Sequence, residues 1–468
     1  MAHEVRPYQV EGALFLARSP VALLADEMGV GKTYQALMAT ELAQCKKILV
    51  LCPPAASMVW TRQSVNYLPP GRGFFVLKDQ NASVPSTGGI VCSYDLSITK
   101  KISTLLCSQT WDCVIADEAH RLNNSAAKRS ALVWGRLRHK TKFLWCLSGT
   151  PVKNHMGELW PFLRACGAYT KGYWNFVDHF LTTRDTLYGT QITGTRADRV
   201  DELKALLEPF MLRRLKQDVM HQLPTLTHTI VPVEPTPVDL KHYYHKVGCG
   251  LQTEEDLYKD ISTQMSVTES LLNVIGEKNY TDASAALSAL QNSTSLSRRF
   301  IGLQKVPTIA SMVIRELKEK QYNKIVLFCW HRDVIEFLRV NLVDFGVVTL
   351  FGGQLLTQKD QNLLRFQRQP TTRVCIAQIL AAGVAIDLTA ASEVGFVECS
   401  YVPADNAQAV MRVHRYPQKS PVRSRIFVLP GSVDERVAII LRKKIHDLTR
   451  IFAAAREESK AYIPNPFE

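Results

Sequence analysis

Leu23 to Thr33 reads LLADEMGVGKT. An apolar, strand-like run enters a turn holding Gly29 and Gly31, then Lys32 and Thr33, and YQALMATELA follows with the look of a helix. Strand, glycine turn and helix is the setting a phosphate loop requires, because backbone N–H groups and a helix N-terminus must converge on phosphate oxygens. In that setting Lys32 meets the β- and γ-phosphates and Thr33 the Mg²⁺, so ATP and Mg²⁺ are the expected ligands. The strict spacing G-x-x-x-x-G-K-[ST] fails at its first glycine, where Asp26 stands. The stretch therefore does not settle the fold unaided.

A second stretch does. WDCVIADEAH, residues 111–120, is an apolar strand ending in two adjacent carboxylates. That places Asp117 and Glu118 at the carboxyl edge of a sheet, where open α/β folds bind ligands. Asp117 can hold the metal while Glu118 positions and activates a water for attack on the γ-phosphate. The plain alternative is an acid pair that merely caps a turn, and the phosphate loop upstream argues against it. Further β-rich runs at 47–53, 89–95 and 143–151 alternate with helical patterns, and a second series occupies 324–330, 347–353, 373–379, 394–400 and 425–430. The expected fold class is α/β, with two lobes of parallel sheet flanked by helices. Residues 1–222 form the first lobe with a helical insertion at about 155–215, 223–305 a helical insertion and linker, 306–430 the second lobe, and 431–468 a brace helix and tail.

The totals fit this division. A chain of 468 residues exceeds what one hydrophobic core supports. Its 56 Lys and Arg against 43 Asp and Glu leave a formal +13, which favours a polyanionic partner such as nucleic acid. The 11 cysteines are scattered, without a C-x-x-C pair or zinc spacing, and read as reduced core residues. The N-terminal apolar patch is too short and interrupted for a signal peptide or membrane span, so a soluble intracellular protein with no membrane partner is expected.

Near the other end, QAVMRVHRYPQ (408–418) holds two arginines three residues apart. If helical, Gln408, Arg412 and Arg415 share one face. A basic helical face is by itself most often a solvated stripe.

In order along residues 4–440, these stretches resemble the Swi/Snf group of superfamily two helicase-type ATPases, which are double-stranded DNA translocases. RPYQ at the start resembles the group's adenine-recognition element, implying that Gln9 reads the base with Arg6 or Tyr8 beside it. DEMGVGKT is similar to the group's own phosphate loop, acid included. SGTPVKNHMGELW (148–160) resembles motif III, implying coupling roles for Ser148 and Thr150, together with His120, and scaffold roles for Glu158 and Trp160. RRLKQDVMHQLP (213–224) resembles a segment typical of this group, and 300–338 resembles the start of the second lobe in the annealing-helicase branch.

AAGVAIDLTAA (381–391) resembles motif V, implying coupling through Gly383 and nucleotide contact by Asp387. QAVMRVHRYPQ resembles motif VI, implying that Gln408 touches nucleotide and that Arg412 and Arg415 act as arginine fingers across an interlobe cleft. Pro417 and Ala385 stand where the family commonly has glycine. The resemblance implies two RecA-like lobes, and DNA contacts at Trp60, Arg62, Ser93, Tyr94, Lys153, Asn154, His331, Gly352 and Gly353. It also implies double-stranded or branched DNA as partner, a protein partner for targeting and a monomeric motor; the small size of the chain suggests the cytoplasm of a bacterium or virus-infected cell rather than a nucleus. A strand-separating or annealing helicase, and a non-motor ATP-gated clamp or assembly factor, are the competing readings.

Overall fold

The strand that ends in the acid pair is flanked by strands as apolar as itself. The computed structural model describes residues 5–77, 84, 87–152, 155–186, 189–220, 223–236, 295–382, 386–432, 434, 435, 437 and 438. The first sheet comprises β1 (Val21–Leu24), β2 (Lys47–Cys52), β3 (Phe74–Val76), β4 (Gly88–Ser93), β5 (Trp111–Asp117), β6 (Thr141–Leu147) and β9 (Met211–Leu212), in the order β3-β4-β2-β5-β6-β1-β9. Every pairing in it is parallel. Side chains alternate between faces: Leu49, Leu51, Val114, Ala116, Leu144 and Cys146 enter one core, and Ile48, Val50, Cys113, Ile115, Phe143 and Trp145 the other. Burial on both faces is why these strands read as continuous apolar runs. Helices α1 (Pro7–Arg18), α2 (Lys32–Leu42) and α3 (Ser57–Tyr67) contribute Ala13, Leu16, Ala36, Leu37 and Trp60 to the second of these cores.

The second sheet comprises β10 (Leu226–Pro232), β11 (Ile325–Cys329), β12 (Val347–Leu350), β13 (Val374–Gln378), β14 (Glu393–Phe396) and β15 (Val422–Val428), ordered β10-β15-β14-β11-β13-β12. It too is parallel at every pairing. Contacts divide the chain into two compact units. The first runs to Leu223 and also takes in two short later segments, one ending at Asp387 and the other Arg415–Lys419; the second begins at Pro224. No described helix is long and apolar enough to cross a membrane.

Three sequence expectations need correction. The region at about 155–215 is not wholly helical: β7 (Leu181–Thr186) and β8 (Gly189–Thr195) form an antiparallel hairpin. Their threonines and Ile192 suit a pleated strand, and no apolar period of 3.6 runs through them. In DELKALLEPFMLRRLKQDV the helix stops at Leu207, before Pro209, and Met211–Leu212 then joins β1 as an edge strand. Residues 223–305 are not only insertion and linker, since LTHTIVP forms β10 and pairs with β15 over its whole length.

The boundary drawn between 305 and 306 also moves, because it falls inside one helix, Ser295–Lys318, which holds Pro307 in its interior. Its buried face of Leu303, Val306, Ile309, Ala310, Val313 and Leu317 outweighs the hydrogen bond that proline cannot donate. Most of 223–305 and of the expected brace helix lies outside the described residues.

The same helix carries charge into the second unit. Buried Lys305 donates to the carbonyls of Val397 and Phe427 and pairs with Asp434. Glu316 takes a two-pronged bond from Arg425, at 2.7 and 2.9 Å, and a hydroxyl bond from Tyr322 at 2.7 Å. Breaking such a pair strands a buried guanidinium. Glu316→Ala is expected to lower stability by about 3 kcal/mol, read as a fall in the midpoint of urea unfolding. An unchanged midpoint would show that Arg425 finds Glu393, 3.5 Å away, as a sufficient partner.

Candidate active site

The phosphate loop follows β1, and α2 begins at Lys32 on a left-handed Gly31 with φ +96°. Gly29 is also left-handed, at φ +83°. A side chain on Gly31 would meet Gln9 Nε2 at 2.7 Å, so α1 lies against the loop. Tyr8 OH and Gln9 Nε2 both donate to the Val30 carbonyl, at 3.2 and 3.4 Å, while Gln9 Oε1 accepts the Arg6 backbone N–H. The first-turn N–H groups of α2, those of Lys32 and Thr33 among them, lack intrahelical acceptors and are available to an anion. Lys32 Nζ donates to the carbonyls of Asp26 and Glu27, at 2.7 and 3.2 Å. Burial lowers its pKa, against the opposing pull of Glu118, Asp26 and Asp117.

Asp26, the acid in place of a glycine, is fully buried. Arg214 donates to it from Nε at 3.0 Å, Nη2 at 2.6 Å and its backbone N–H at 3.1 Å, and Gln35 adds a bond at 3.2 Å. The acid is a strut that ties the loop to the segment after β9. Neither Arg214 nor its neighbour Lys216 stood among the expected site residues. The sequence marked their segment as characteristic but held no sign of where it would dock.

At the end of β5, Asp117 Oδ2 accepts the Trp60 indole N–H at 2.8 Å, its Oδ1 accepts the Glu118 N–H at 3.0 Å, and its carbonyl accepts Tyr94 OH at 2.8 Å. Burial, and after it the charge of Glu118, push the Asp117 carboxyl up to about 6. Glu118 has φ +51° and lies 3.3 Å from His120 Nδ1, which lies 3.1 Å from Ser148 Oγ. Ser148 Oγ in turn accepts the Thr150 N–H at 3.2 Å. Gly149 between them sits so near the loop that a Cβ there would lie 3.3 Å from Lys32 Nζ. Asn123 ties this segment to Glu158, bonding Pro151 O and Glu158 Oε2 at 2.9 Å each, and the Trp160 indole donates to Lys171 O.

This donor set suits a nucleotide and a divalent cation. Two left-handed glycines open the loop, an ammonium stands over it, and a carboxyl raised by burial and a like charge stands at the sheet edge, with the Lys32 charge opposing that rise. Among the described residues no cluster of three or more His, Cys, Asp or Glu could cage a metal. Mg²⁺ is usually held by one or two protein oxygens and completed by phosphates and water, and Thr33 and Asp117 offer two such oxygens.

Two of the expected DNA contacts are corrected. Trp60 and Tyr94 are each 1% exposed, and both are spent on holding Asp117. An indole and a phenol buried behind the sheet edge offer no face to a strand. Arg62 is exposed on α3, and Ser93 caps the helix Tyr94–Ser97 by accepting the Leu96 N–H. In the second unit His331 Nδ1 lies 2.6 Å from Glu398, and Gly352 donates its N–H to Gln378 at 3.0 Å. Gly353 has φ +87°, and Arg332 bonds the Gly352 carbonyl beside it. Lys153, Asn154, Gly383 and Ala385 lie outside the described residues.

Gln408, Arg412 and Arg415 do not share a helical face. The helix covers Pro403–Val410 and carries Gln408, while both arginines fall in the turns after it. Val413 and His414 both bond back to the Val410 carbonyl, and His414 Nε2 lies 2.7 Å from Pro224 O. The i→i−3 bonds of Arg412 to Ala409 and of Val413 to Val410 tighten the chain into turns past the helix end, with Pro417 close behind. Arg412 remains in the second unit, where its carbonyl accepts the Leu388 N–H. Asp387 and Arg415–Lys419 group with the first unit. There Arg415 Cβ would lie 3.4 Å from a Cβ built on Gly29, and the Arg6 guanidinium lies 4.8 Å from the Tyr416 ring centre. Pro417 follows a cis peptide in a turn closed by Gln418 N–H to Arg415 O at 2.8 Å.

A family model described as an SNF2-related domain matches residues 8–285, and one described as a helicase conserved C-terminal domain matches 306–417. A SWI/SNF-related matrix-associated actin-dependent regulator of chromatin subfamily A-like protein 1 from Drosophila melanogaster is 25% identical, over 98% of this chain and 58% of that protein. The DNA annealing helicase and endonuclease ZRANB3 of Mus musculus is 25% identical, over 94% of this chain and 40% of that protein. The chain thus spans about half the length of these relatives. The Sulfolobus solfataricus SWI2/SNF2 ATPase core, solved in complex with dsDNA, aligns over 97% of this chain and 94% of that one, at 21% identity and a TM-score of 0.43.

Proposed function

The chain belongs to the SNF2-related family, and from that premise we propose that it is a DNA-dependent ATPase that moves along double-stranded DNA. One observation carries the reading: the phosphate loop, the Asp117–Glu118 pair and the segment beginning at Arg415 are gathered in one compact unit. Gln9 and Tyr8, beside the loop, flank the adenine; the Gly29–Gly31 turn and the start of α2 cradle the phosphates. Lys32 leaves its two carbonyl acceptors to bond the terminal phosphates. Thr33 and Asp117 would hold Mg²⁺, which would neutralise phosphate charge when bound. Glu118 orients the attacking water and takes its proton, and Arg415 stabilises charge on the phosphoryl group as it transfers.

His120, Ser148 and Thr150 link the Glu118 carboxylate to the stretch after β6. A change at the γ-phosphate would be felt there first, which makes these three the coupling residues. The formal charge of +13 favours a polyanionic track, and a motor indifferent to sequence grips it through phosphates rather than base edges.

The test is ATP turnover with no nucleic acid, duplex DNA, single-stranded DNA, forked DNA and RNA. Duplex and forked DNA should stimulate most, and ATP should drive displacement of a third strand from a DNA triplex. Stimulation by RNA above duplex would defeat the reading. Stimulation by duplex without triplex displacement would leave an ATP-gated clamp in place of the motor.

A further inference from the structure

The segment after β9 is laced to the phosphate loop. Ala25 and Glu27 donate their backbone N–H groups to the carbonyls of Leu212 and Arg214, at 2.7 and 2.9 Å, so the ladder of β1 and β9 continues past the strands into the loop. Arg213 returns a bond to the Ala25 carbonyl at 3.1 Å, and Arg214 clamps Asp26. Glu27 Oε2 accepts the Lys216 backbone N–H at 2.7 Å, which fixes where this lysine leaves the chain. Its side chain then runs to the left-handed glycine of the loop: a Cβ on Gly29 would stand 3.1 Å from Lys216 Cε and 3.2 Å from Nζ. Lys216 is 5% exposed, so its ammonium is held at the loop rather than waving in solvent.

A Cβ at Gly29 would press on the end of this lysine by a few tenths of an ångström, so the glycine both permits the positive φ and eases the approach. Lys32 comes to the loop from the start of α2; Lys216 comes from the opposite end of the unit's sequence and sits against a different residue of the same turn.

We propose that Lys216 is a second phosphate-binding cation of the nucleotide site, contacting the phosphate chain from the Gly29 side. This deepens the ATPase reading above and rests on it. It gives the segment 213–219 a binding task beyond its structural one: Arg214 secures the loop's shape, and Lys216 adds charge to its mouth.

The full-length chain is tested with a fluorescent ADP and with a non-hydrolysable ATP analogue. Lys216→Met, with Lys216→Gln as a second neutral variant, should weaken both by about tenfold or more, the effect of one charge-assisted hydrogen bond. Inorganic pyrophosphate should displace the fluorescent nucleotide less well from either variant than from the native chain. Lys216→Arg should restore most of the affinity, because the charge and reach are kept. The idea is overturned if the neutral variants bind like the native chain. It is equally overturned if all three variants lose affinity together with a lowered melting midpoint, which is what a packing role gives. Failure of the native chain to bind either nucleotide would instead sink the ATPase reading itself.

Discussion

Arg415→Ala should reduce ATP turnover by about 10³-fold or more, the range found when an arginine finger is removed from phosphoryl-transfer enzymes. Affinity for a non-hydrolysable analogue should change far less, because the guanidinium acts on charge that builds only as the γ-phosphoryl group moves. The structure favours Arg415 over Arg412 for this role. Both were expected on one helical face, but the helix ends at Val410 and the two arginines part company: Arg415 groups with the unit that holds Lys32, and Arg412 does not. Arg415 Cβ lies against Gly29 of the loop, so its side chain starts from the site's own wall. Single-turnover kinetics beside equilibrium nucleotide binding separate the two effects. Equal losses in turnover and binding would assign Arg415 to holding ground-state nucleotide, and an unaltered rate would remove it from the reaction.

Glu118→Gln should bind ATP and fail to consume it, with turnover lower by about 10²- to 10⁴-fold, the contribution of a positioned general base. The amide keeps the size of the carboxylate but cannot take a proton from water. Binding should persist, because the Glu118 charge is one of the causes that push Asp117 up to about 6. Removing it leaves Asp117 more readily ionised and its cation site at least as strong. Bound ATP recovered intact after gel filtration, against ADP from the native chain, is the measurement. Normal hydrolysis by this variant would show that some other group activates the water.

Much of this site was legible because its signals are local. A loop that must turn through positive φ shows as Gly29 and Gly31, and a strand that must end at a ligand shows as apolar residues closed by Asp117 and Glu118. The central strands of both sheets were equally plain, since burial on two faces writes an unbroken apolar run. Short strands at the sheet edges were not. β9 is two residues long, and β10 alternates too weakly to stand out from linker, so each exists only because a neighbouring strand pairs with it. Trp60 and Tyr94 misled for a related reason: an aromatic residue looks the same in sequence whether it stacks on a partner or holds a buried acid.

The sequence by itself determined where the loop and the acid pair stand, and the α/β alternation, because backbone geometry and strand burial act over a few adjacent residues. Tertiary structure alone decided what Asp26 is for. Its partner Arg214 is 188 residues away, and only the docking of the segment after β9 makes the acid a strut instead of a flaw in the loop. The same docking brings Lys216 to Gly29, and the turn after Val410 separates Arg412 from Arg415. Each outcome depends on which distant groups can satisfy a buried charge or an open carbonyl, and that is settled only when the chain closes on itself.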